Sequence, residues 1–388
     1  MEWELLDKID FTKVFAQERD YFKRYKRINP QKQFLESIIK ECTKLDNNIY
    51  TNLKTTKTVF YKSMTRADYD LLLDKIAGTT DNPIIDLRQT SNSLNGELIR
   101  YIKKNYHHSK IVRENNPYLN QALRIKLLTY CFLFSKTFKN TNRAIFFSDM
   151  QGAENFFCQA LKLCKIPTAT LQHGLYVEYF DDDNINIVNY KNHVADFFLA
   201  WGDCTANLIH KYRPDSKILV VGKPTLEPKT FNNQSSETGR ILIATDQKLF
   251  DQQNIDMISI VLSAIPKELQ KIVIKLHPSN EKAMYTAKFP KVKFIEKVPE
   301  DISLVVGHTT SLLYEMLSQG YKVLRYRTEV ESIYFPPEAE FDSEDRFKKA
   351  RGSASSNETN KGSKYYIKYL GQESLDHYKN FLDYFDRT

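Results

Sequence analysis

Short apolar runs alternate with helical segments along most of this 388-residue chain, and this alternation constrains its fold most strongly. In the first part of the chain, strands are predicted at TKTVFY, PIIDL, AIFFS, TATLQ, ADFFLA and KILVV. The segments between these runs carry apolar residues at helical spacing. Strands that alternate with helices predict an α/β fold, in which helices cover a parallel sheet.

The alternation stops at a polar stretch and then begins again. Residues Glu227–Gly239, EPKTFNNQSSETG, have the composition of a linker. Beyond them, strands are predicted at RILIA, KIVIKL, ISLVV and KVLRY. The sequence therefore predicts two doubly wound, Rossmann-like domains facing each other across a cleft, residues 1–226 and 240–364, joined by the linker 227–239. Within the second domain, residues 342–364 have almost no apolar content and predict a mobile loop. Residues 365–388 end in a helix that we expect to pack back on the first domain.

Composition narrows the functional classes. The chain is 41% hydrophobic and 27% charged, and its longest dense apolar run, Leu127–Phe134, is too short to cross a bilayer. The N-terminal residues MEWELLDKID do not predict a signal peptide, and five cysteines without metal-site spacing predict a reducing cytoplasm. The net charge of +8 fits a phosphate-bearing substrate and peripheral contact with an anionic membrane. The lysines are scattered and no nucleic-acid motif is present, so no nucleic-acid partner is expected.

Small and polar residues recur where the predicted strands end. In open parallel sheets, ligands bind beyond the carboxyl ends of the strands, so these positions predict the site. The residues at the strand ends are Asp149, His173-Gly174, Gly202, Gly222-Lys223, Thr245-Asp246, His277-Pro278 and Thr309–Ser311.

The second domain offers the residues expected to bind phosphate. Thr309–Ser311 stand between a strand and a helix, where free N–H groups and the helix dipole favour an anion, although the same hydroxyls would serve as an ordinary helix cap. Pro278 disfavours helix at His277, whose imidazole can then donate to a phosphate or cap its own loop. Lys275 adds positive charge, and Gly222 and Thr245 complete the predicted binding residues.

The first domain offers candidate bases. His173 follows TATLQ, and Gly174 allows the backbone to turn sharply behind it. A neutral histidine there can act as general base toward a hydroxyl, with Asp149 and Glu154 as competing candidates. The acids Asp181–Asp183 suit a solvated turn better than a metal site, so no metal and no other cofactor is expected.

Three of these segments resemble motifs of bacterial GT-B glycosyltransferases that make capsules, O-antigens and other surface polysaccharides. TATLQHG is similar to the QHG or WHG segment of the N-terminal domain, and KLHP is similar to the HP motif that contacts the donor phosphate. GHTTSLLYE resembles the paired-hydroxyl motif that holds the donor phosphate, followed by an acid, here Glu315, that often meets the ribose or sugar. The resemblance extends to capsule Kdo-transferases, polysialyltransferases and, more distantly, CDP-glycerol glycerophosphotransferases. The last group has an acid where this chain has Gly307-His308, which counts against a glycerol-phosphate donor.

The resemblance implies a GT-B fold and a metal-independent, inverting glycosyltransferase in the cytoplasm, at or near the inner face of the cell membrane. Its donor would be a CMP- or UDP-linked sugar, and its acceptor a growing surface glycan or lipid-linked oligosaccharide that presents a hydroxyl to His173. Three alternatives stay open: a CDP-alcohol polyol-phosphate transferase, a UDP-sugar epimerase, and a non-catalytic GT-B-like scaffold.

Overall fold

The computed structural model describes residues 3–24, 30–43, 45, 58–80, 82–89, 94–137, 141–181, 184–228, 239–353 and 362–387. The α-helices are α1 Phe11–Val14, α2 Ala16–Arg24, α3 Pro30–Thr43, α4 Ala67–Ala77, α5 Gly96–Asn105, α6 Pro117–Thr137, α7 Gly152–Leu163, α8 Ile185–Lys191, α9 Asp203–Tyr212, α10 Asp251–Ala264, α11 Lys282–Lys288, α12 Ser311–Ser318, α13 Glu344–Ser353, α14 Ser363–Tyr366 and α15 Gly371–Phe385. The strands are β1 Val59–Lys62, β2 Ile84–Asp86, β3 Ala144–Phe146, β4 Thr168–Leu171, β5 Glu178–Tyr179, β6 Phe197–Ala200, β7 Lys217–Val220, β8 Arg240–Ala244, β9 Ile272–Lys275, β10 Lys293–Ile295, β11 Ile302–Gly307, β12 Val323–Tyr326, β13 Glu331–Ser332 and β14 Glu340–Phe341.

Two six-stranded sheets organise the described chain. Their orders are β2-β1-β3-β4-β6-β7 and β10-β9-β8-β11-β12-β14. Neighbouring strands are parallel throughout both sheets. The predicted α/β fold with two doubly wound sheets is therefore confirmed.

The central strands of both sheets are buried along almost their whole length. Every residue of β3, β4 and β6 is buried, and so are the last four residues of β8. A strand buried on both faces reads as a continuous apolar run rather than an alternating one. This is why the short runs of the sequence could be assigned to strands.

The region predicted as a mobile loop contains a helix. Helix α13 occupies Glu344–Ser353, so the loop prediction for residues 342–364 is wrong over this part. Phe347 and Ala350, three residues apart, are both buried, and Arg351 forms an ion pair with Glu268 at 2.8 Å. Two apolar residues on one face and this ion pair thus fix a segment whose composition is otherwise polar. Residues 354–361, like residues 229–238 of the predicted linker, lie outside the described ranges.

The chain returns to the first sheet after completing the second. In α15, the rings of Phe381 and Phe385 lie 5.6 and 5.7 Å from that of Phe197 in β6. The Ser374 hydroxyl donates to the carbonyl of Val221 at 2.8 Å. The two sheets are also joined by the antiparallel pairing of β5 with β13. None of the described helices is both long and apolar enough to cross a membrane.

Candidate functional site

The carboxyl ends of the two sheets face each other across a cleft. The backbone N–H of Leu175, just after β4, donates to the hydroxyl of Ser311 at the start of α12, at 2.8 Å. Lys223, just after β7, forms an ion pair with Glu315 of α12 at 2.5 Å. Loops from the first sheet therefore touch the helix that carries the hydroxyl motif of the second.

The three hydroxyls of that motif have different surroundings. Thr310 is the residue before α12, and its side chain makes no capping hydrogen bond to the helix. The hydroxyl of Thr309 donates to Asp246, while that of Ser311 accepts the bond from Leu175. The first turn of α12 thus lacks the side-chain cap that an ordinary helix start would have, and its N–H groups are suited to an anion.

A buried polar network forms the floor beneath Thr309. The imidazole of His308 lies between Asn254 Oδ1 at 2.9 Å and Thr309 Oγ1 at 3.0 Å. Burial lowers the pKa of His308 to about 4. Burial also raises the pKa of Asp246, against the opposing effect of its bonds from Thr309 and the N–H of Gln247. Burial thus disfavours a charge on either side chain.

The loop after β9 fixes the histidine of the KLHP segment. The N–H of His277 donates to Thr245 Oγ1 at 2.8 Å and to Asn280 Oδ1 at 2.9 Å. The Nδ1 atom of His277 accepts the N–H of Ser279 at 3.1 Å. In the neutral imidazole the proton therefore lies on Nε2, which can donate to a ligand. Thr245 supports this loop, and Pro278 begins the turn that follows.

Two other predicted binding residues have structural contacts. The ammonium of Lys275 donates to the carbonyl of Glu296 at 2.5 Å, next to β10. Gly222 has a φ of +80°, and a Cβ atom there would lie 2.2 Å from the carbonyl oxygen of Tyr369. Gly222 is thus required for the close approach of the segment before α15, and Lys275 holds an edge of the second sheet.

The turn that carries His173 is held by a buried amide. Gln172 Oε1 accepts the N–H of Trp201 at 2.6 Å, and Gln172 Nε2 donates to the carbonyl of Gly174 at 2.8 Å. The His173 ring centroid lies 5.4 Å from that of Phe147 and 5.7 Å from that of Tyr69. Burial among these rings, together with the charges of His193 and Arg66, lowers the pKa of His173 to about 3. His173 is accordingly a neutral imidazole at physiological pH.

The competing base candidates, Asp149 and Glu154, are both fully buried. Glu154 accepts bonds from the N–H and hydroxyl of Ser63 at 2.8 and 2.7 Å and from the N–H of Ser148 at 2.6 Å. Burial nevertheless raises the pKa of Glu154 to about 8. Asp149 is bonded to His193 and to two backbone N–H groups. Neither carboxyl is exposed for direct contact with a substrate, so His173 is the best-placed candidate base of the three.

Cations at the cleft add to the predicted set. The guanidinium carbon of Arg66, after β1, lies 4.1 Å from the ring centroid of Tyr69, and the ammonium of Lys223 lies 4.2 Å from that of Trp201. The charge of Arg66 contributes to the lowered pKa of His277, which is due mainly to burial, and also to that of His173. The charge of Arg66 therefore acts on both histidines. Arg66 follows the carboxyl end of β1, where ligands bind in open parallel sheets, so the sequence contains a signal for it.

No group of three potential metal ligands occurs in the described parts of the chain. The acid run Asp181–Asp183 is described only at Asp181. The rings of His107 and His108 lie against each other, with their centroids 3.8 Å apart.

Comparison with known proteins establishes the fold. No family model and no curated protein matches this sequence. Among solved structures, S. aureus MnaA, determined with UDP, is 12% identical with a TM-score of 0.52, and the match covers 85% of this chain and 97% of that one. The UDP-GlcNAc 2-epimerase of Neisseria meningitidis, bound to UDP-GlcNAc, is 13% identical with a TM-score of 0.50, over 85% of this chain and 100% of that one. A putative UDP-N-acetylglucosamine 2-epimerase from Listeria monocytogenes is 9% identical with a TM-score of 0.50, over 85% and 97% of the two chains. The chain has the GT-B fold, as the motif resemblance implies.

Proposed function

We propose that this protein is a glycosyltransferase that moves a sugar from a nucleotide-sugar donor to a hydroxyl of a growing bacterial surface glycan. The observation that carries the proposal is the placement of a neutral imidazole, His173, in the loop that contacts the uncapped start of α12. Two solved structures of similar fold hold UDP or UDP-GlcNAc, which supports a uridine nucleotide over a cytidine one.

In the proposed reaction, His173 removes the proton from the acceptor hydroxyl, whose oxygen attacks the anomeric carbon of the donor. The bond from that carbon to the nucleotide phosphate breaks, and negative charge develops on the leaving group. The N–H groups of α12, the Nε2–H of His277 and the cations Arg66 and Lys223 stabilise this charge. A single displacement of this kind inverts the anomeric centre, and it requires no metal.

A UDP-sugar epimerase is the main competing function, because two proteins of similar fold are a UDP-GlcNAc 2-epimerase and a putative UDP-N-acetylglucosamine 2-epimerase. An epimerase converts its nucleotide sugar with no acceptor present, and it needs acid and base groups beside the sugar. Near this cleft, Asp149 and Glu154 are fully enclosed and Glu315 is paired with Lys223. This arrangement favours the transferase.

The proposal predicts that UDP stabilises the folded protein with or without magnesium. A ligand whose free concentration is 100 times its dissociation constant adds about 2.7 kcal/mol to the free energy of unfolding. We expect UDP to raise the melting temperature more than CMP, CDP, GDP or dTDP in a thermal-shift panel. His277→Ala should reduce this increase in melting temperature. His107→Ala, which changes an exposed histidine in the first half of the chain, should not.

Other outcomes of this experiment point to the alternatives. A shift with CDP alone would favour polyol-phosphate transfer, and its product can be identified by mass. Conversion of UDP-GlcNAc into its 2-epimer without an acceptor would establish an epimerase. If none of the nucleotides shifts the melting temperature, the scaffold replaces the transferase.

We also propose peripheral contact with an anionic membrane, through a surface at the amino edge of the first sheet that we call the basic face. Two adjoining depressions of about 430 and 330 Å³ lie there and share Lys162 and Arg213. Three aspartates, Asp10, Asp196 and Asp215, line the same depressions. The cations of the basic face are Lys8, Lys13, Lys162, Lys165, Arg213 and Lys217.

Vesicle sedimentation tests this contact. Each lysine near an anionic bilayer contributes about 1 kcal/mol, and salt screens the attraction. We expect binding to vesicles that contain phosphatidylserine, no binding to pure phosphatidylcholine, and release at high salt. Lys165→Glu with Lys217→Glu should abolish binding. The control, Lys282→Glu with Lys291→Glu, makes the same change in net charge in the second domain and should leave binding intact.

A further inference from the structure

The first turn of α10 contacts three loops at the carboxyl edge of the second sheet. Asp251 and Asn254 lie three positions apart in this turn, on the same side of the helix. Asn254 is fully buried. The partners of the two side chains lie in the loops that follow β8, β9 and β11, and these loops carry the predicted binding residues Thr245, His277 and Thr309–Ser311.

The amide of Asn254 joins the loops after β8 and β11. Its Oδ1 accepts the N–H of Asp246 at 2.8 Å, and its Nδ2 donates to the carbonyl of the same residue at 3.0 Å. These two bonds fix which end of the amide carries the oxygen, because a backbone N–H only donates and a carbonyl only accepts. The same Oδ1 therefore accepts the Nε2–H of His308, at 2.9 Å. Asp246 and His308 in turn contact the hydroxyl of Thr309.

The carboxylate of Asp251 holds the loop after β9. Its Oδ1 accepts the side-chain N–H of Asn280 at 3.0 Å and the hydroxyl of Tyr285 at 2.6 Å. The Oδ1 atom of Asn280 accepts the N–H of His277 at 2.9 Å and the hydroxyl of Thr245 at 2.8 Å. Asp251 thus acts on the backbone of His277 through a single intervening side chain.

Tyr285 connects the two parts of this network. Its side chain is fully buried, and its hydroxyl donates to Asp251 and accepts the Nδ2–H of Asn254 at 3.2 Å. An unbroken series of hydrogen bonds therefore joins Thr309 to His277. Hydrogen bonds weaken steeply when their distance or angle departs from the optimum, so a phosphate held by both loops needs a fixed separation between them.

We propose that Asp251 and Asn254 are positioning residues, which hold the His277 loop and the Thr309–Ser311 motif in the arrangement that binds nucleotide phosphate. Neither residue touches the ligand in this role. A network completed within the protein reduces the cost of ordering these loops when the nucleotide binds. The inference rests on the proposed function, since it needs a nucleotide at these two loops.

Asp251→Ala tests the positioning role, because it removes the acceptor of two hydrogen bonds. We expect the dissociation constant of UDP, measured by titration calorimetry, to rise about 10-fold or more. Asp251→Asn keeps an oxygen that can accept both bonds, so its dissociation constant should stay within about 2-fold of the wild-type value. Tyr285→Phe removes one hydroxyl and keeps the buried ring, and it should weaken UDP binding about 3-fold.

Glu268→Ala is the matched control. Glu268 lies in the same half of the chain and also accepts two hydrogen bonds, from Arg351 at 2.8 and 2.9 Å. The control therefore removes the same charge and the same number of bonds, and it should leave the affinity for UDP unchanged. If the wild-type protein binds UDP and Asp251→Ala binds it as tightly as Glu268→Ala does, the positioning role is overturned.

Histidine-ring NMR in the absence of nucleotide separates failure of the positioning role from failure of the proposed function. His277→Gln identifies the ring signal of His277. We expect Asp251→Ala and Tyr285→Phe to shift this signal and Glu268→Ala to leave it in place. If these shifts are present but the wild-type protein binds no UDP, the proposed function fails while the control of the loop by Asp251 stands. If Asp251→Ala leaves the His277 signal unchanged, the positioning role is wrong whatever the affinity.

Discussion

We expect His173→Ala to lower turnover by about 10²-fold or more, because it removes the group that takes the acceptor proton. UDP should still raise the melting temperature of the variant, since the proposed donor contacts come from α12 and the loop after β9. The measurement is the release of UDP from UDP-GlcNAc under saturating donor. A large loss in kcat with donor binding retained would place His173 on the acceptor side of the reaction.

The control is His210→Ala, at an exposed position near the end of α9. This variant should retain wild-type turnover. Near-normal turnover in His173→Ala, with the fold intact, would remove His173 from the role of base. Arg66 and Lys223 could then still bind a nucleotide, but another residue would have to accept the proton.

The second large effect is expected at Arg325, which lies in β12 with 4% of its side chain exposed. Its guanidinium is paired with Glu331 of β13 and Glu340 of β14. Arg325→Met would leave two carboxylates without their cation, one of them fully buried. Breaking a buried pair on one side costs about 3–5 kcal/mol of the free energy of unfolding. Urea denaturation followed by circular dichroism should show that the free energy of unfolding falls by this amount.

Two variants sharpen this measurement. Arg346→Met removes a pair of the same type, Arg346 with Asp342, which is largely exposed. It should cost at most about 1 kcal/mol. Neutralising the partners as well, in Arg325→Met with Glu331→Gln and Glu340→Gln, should recover much of the lost stability because no unpaired charge then remains buried. If Arg325→Met alone lowers the free energy of unfolding by less than about 1 kcal/mol, the pairing of Arg325 with Glu331 and Glu340 does not have the predicted stabilising role.

The central strands could be predicted from the sequence because each is buried on both faces. Runs such as KIVIKL and ADFFLA are short and mostly apolar, which is typical of strands buried on both faces. Helix α13 could not be predicted by the same reasoning, since its apolar contact consists only of Phe347 and Ala350 and the rest depends on the distant Glu268. The two-residue strands β5 and β13 were missed for a related reason. They exist only because the two halves meet there, and neither carries a pattern of its own.

In the candidate site, too, some residues could be predicted from local sequence and others depend on distant contacts. Strand ends identified His173, His277 and Thr309–Ser311, because parallel sheets place all their carboxyl ends on one edge. The sequence did not reveal that Asp149 is enclosed by Val194 and Ala195, or that His193 is its partner, since this contact joins residues 44 positions apart. Arg66 lies between β1 and α4, so its position after the carboxyl end of a strand is visible in the sequence.

The return of α15 to the first sheet has a consequence for the order of events during synthesis. The aromatic contacts of Phe197 and the hydrogen bond between Thr58 and Asp386, at 2.8 Å, need residues made some 180 to 330 positions later. The first half therefore leaves the ribosome with part of its core uncovered, and it stays so while the whole of the second half is made. A chaperone that protects nascent chains would meet that apolar surface around β6, and release from it would coincide with the emergence of Gly371–Phe385.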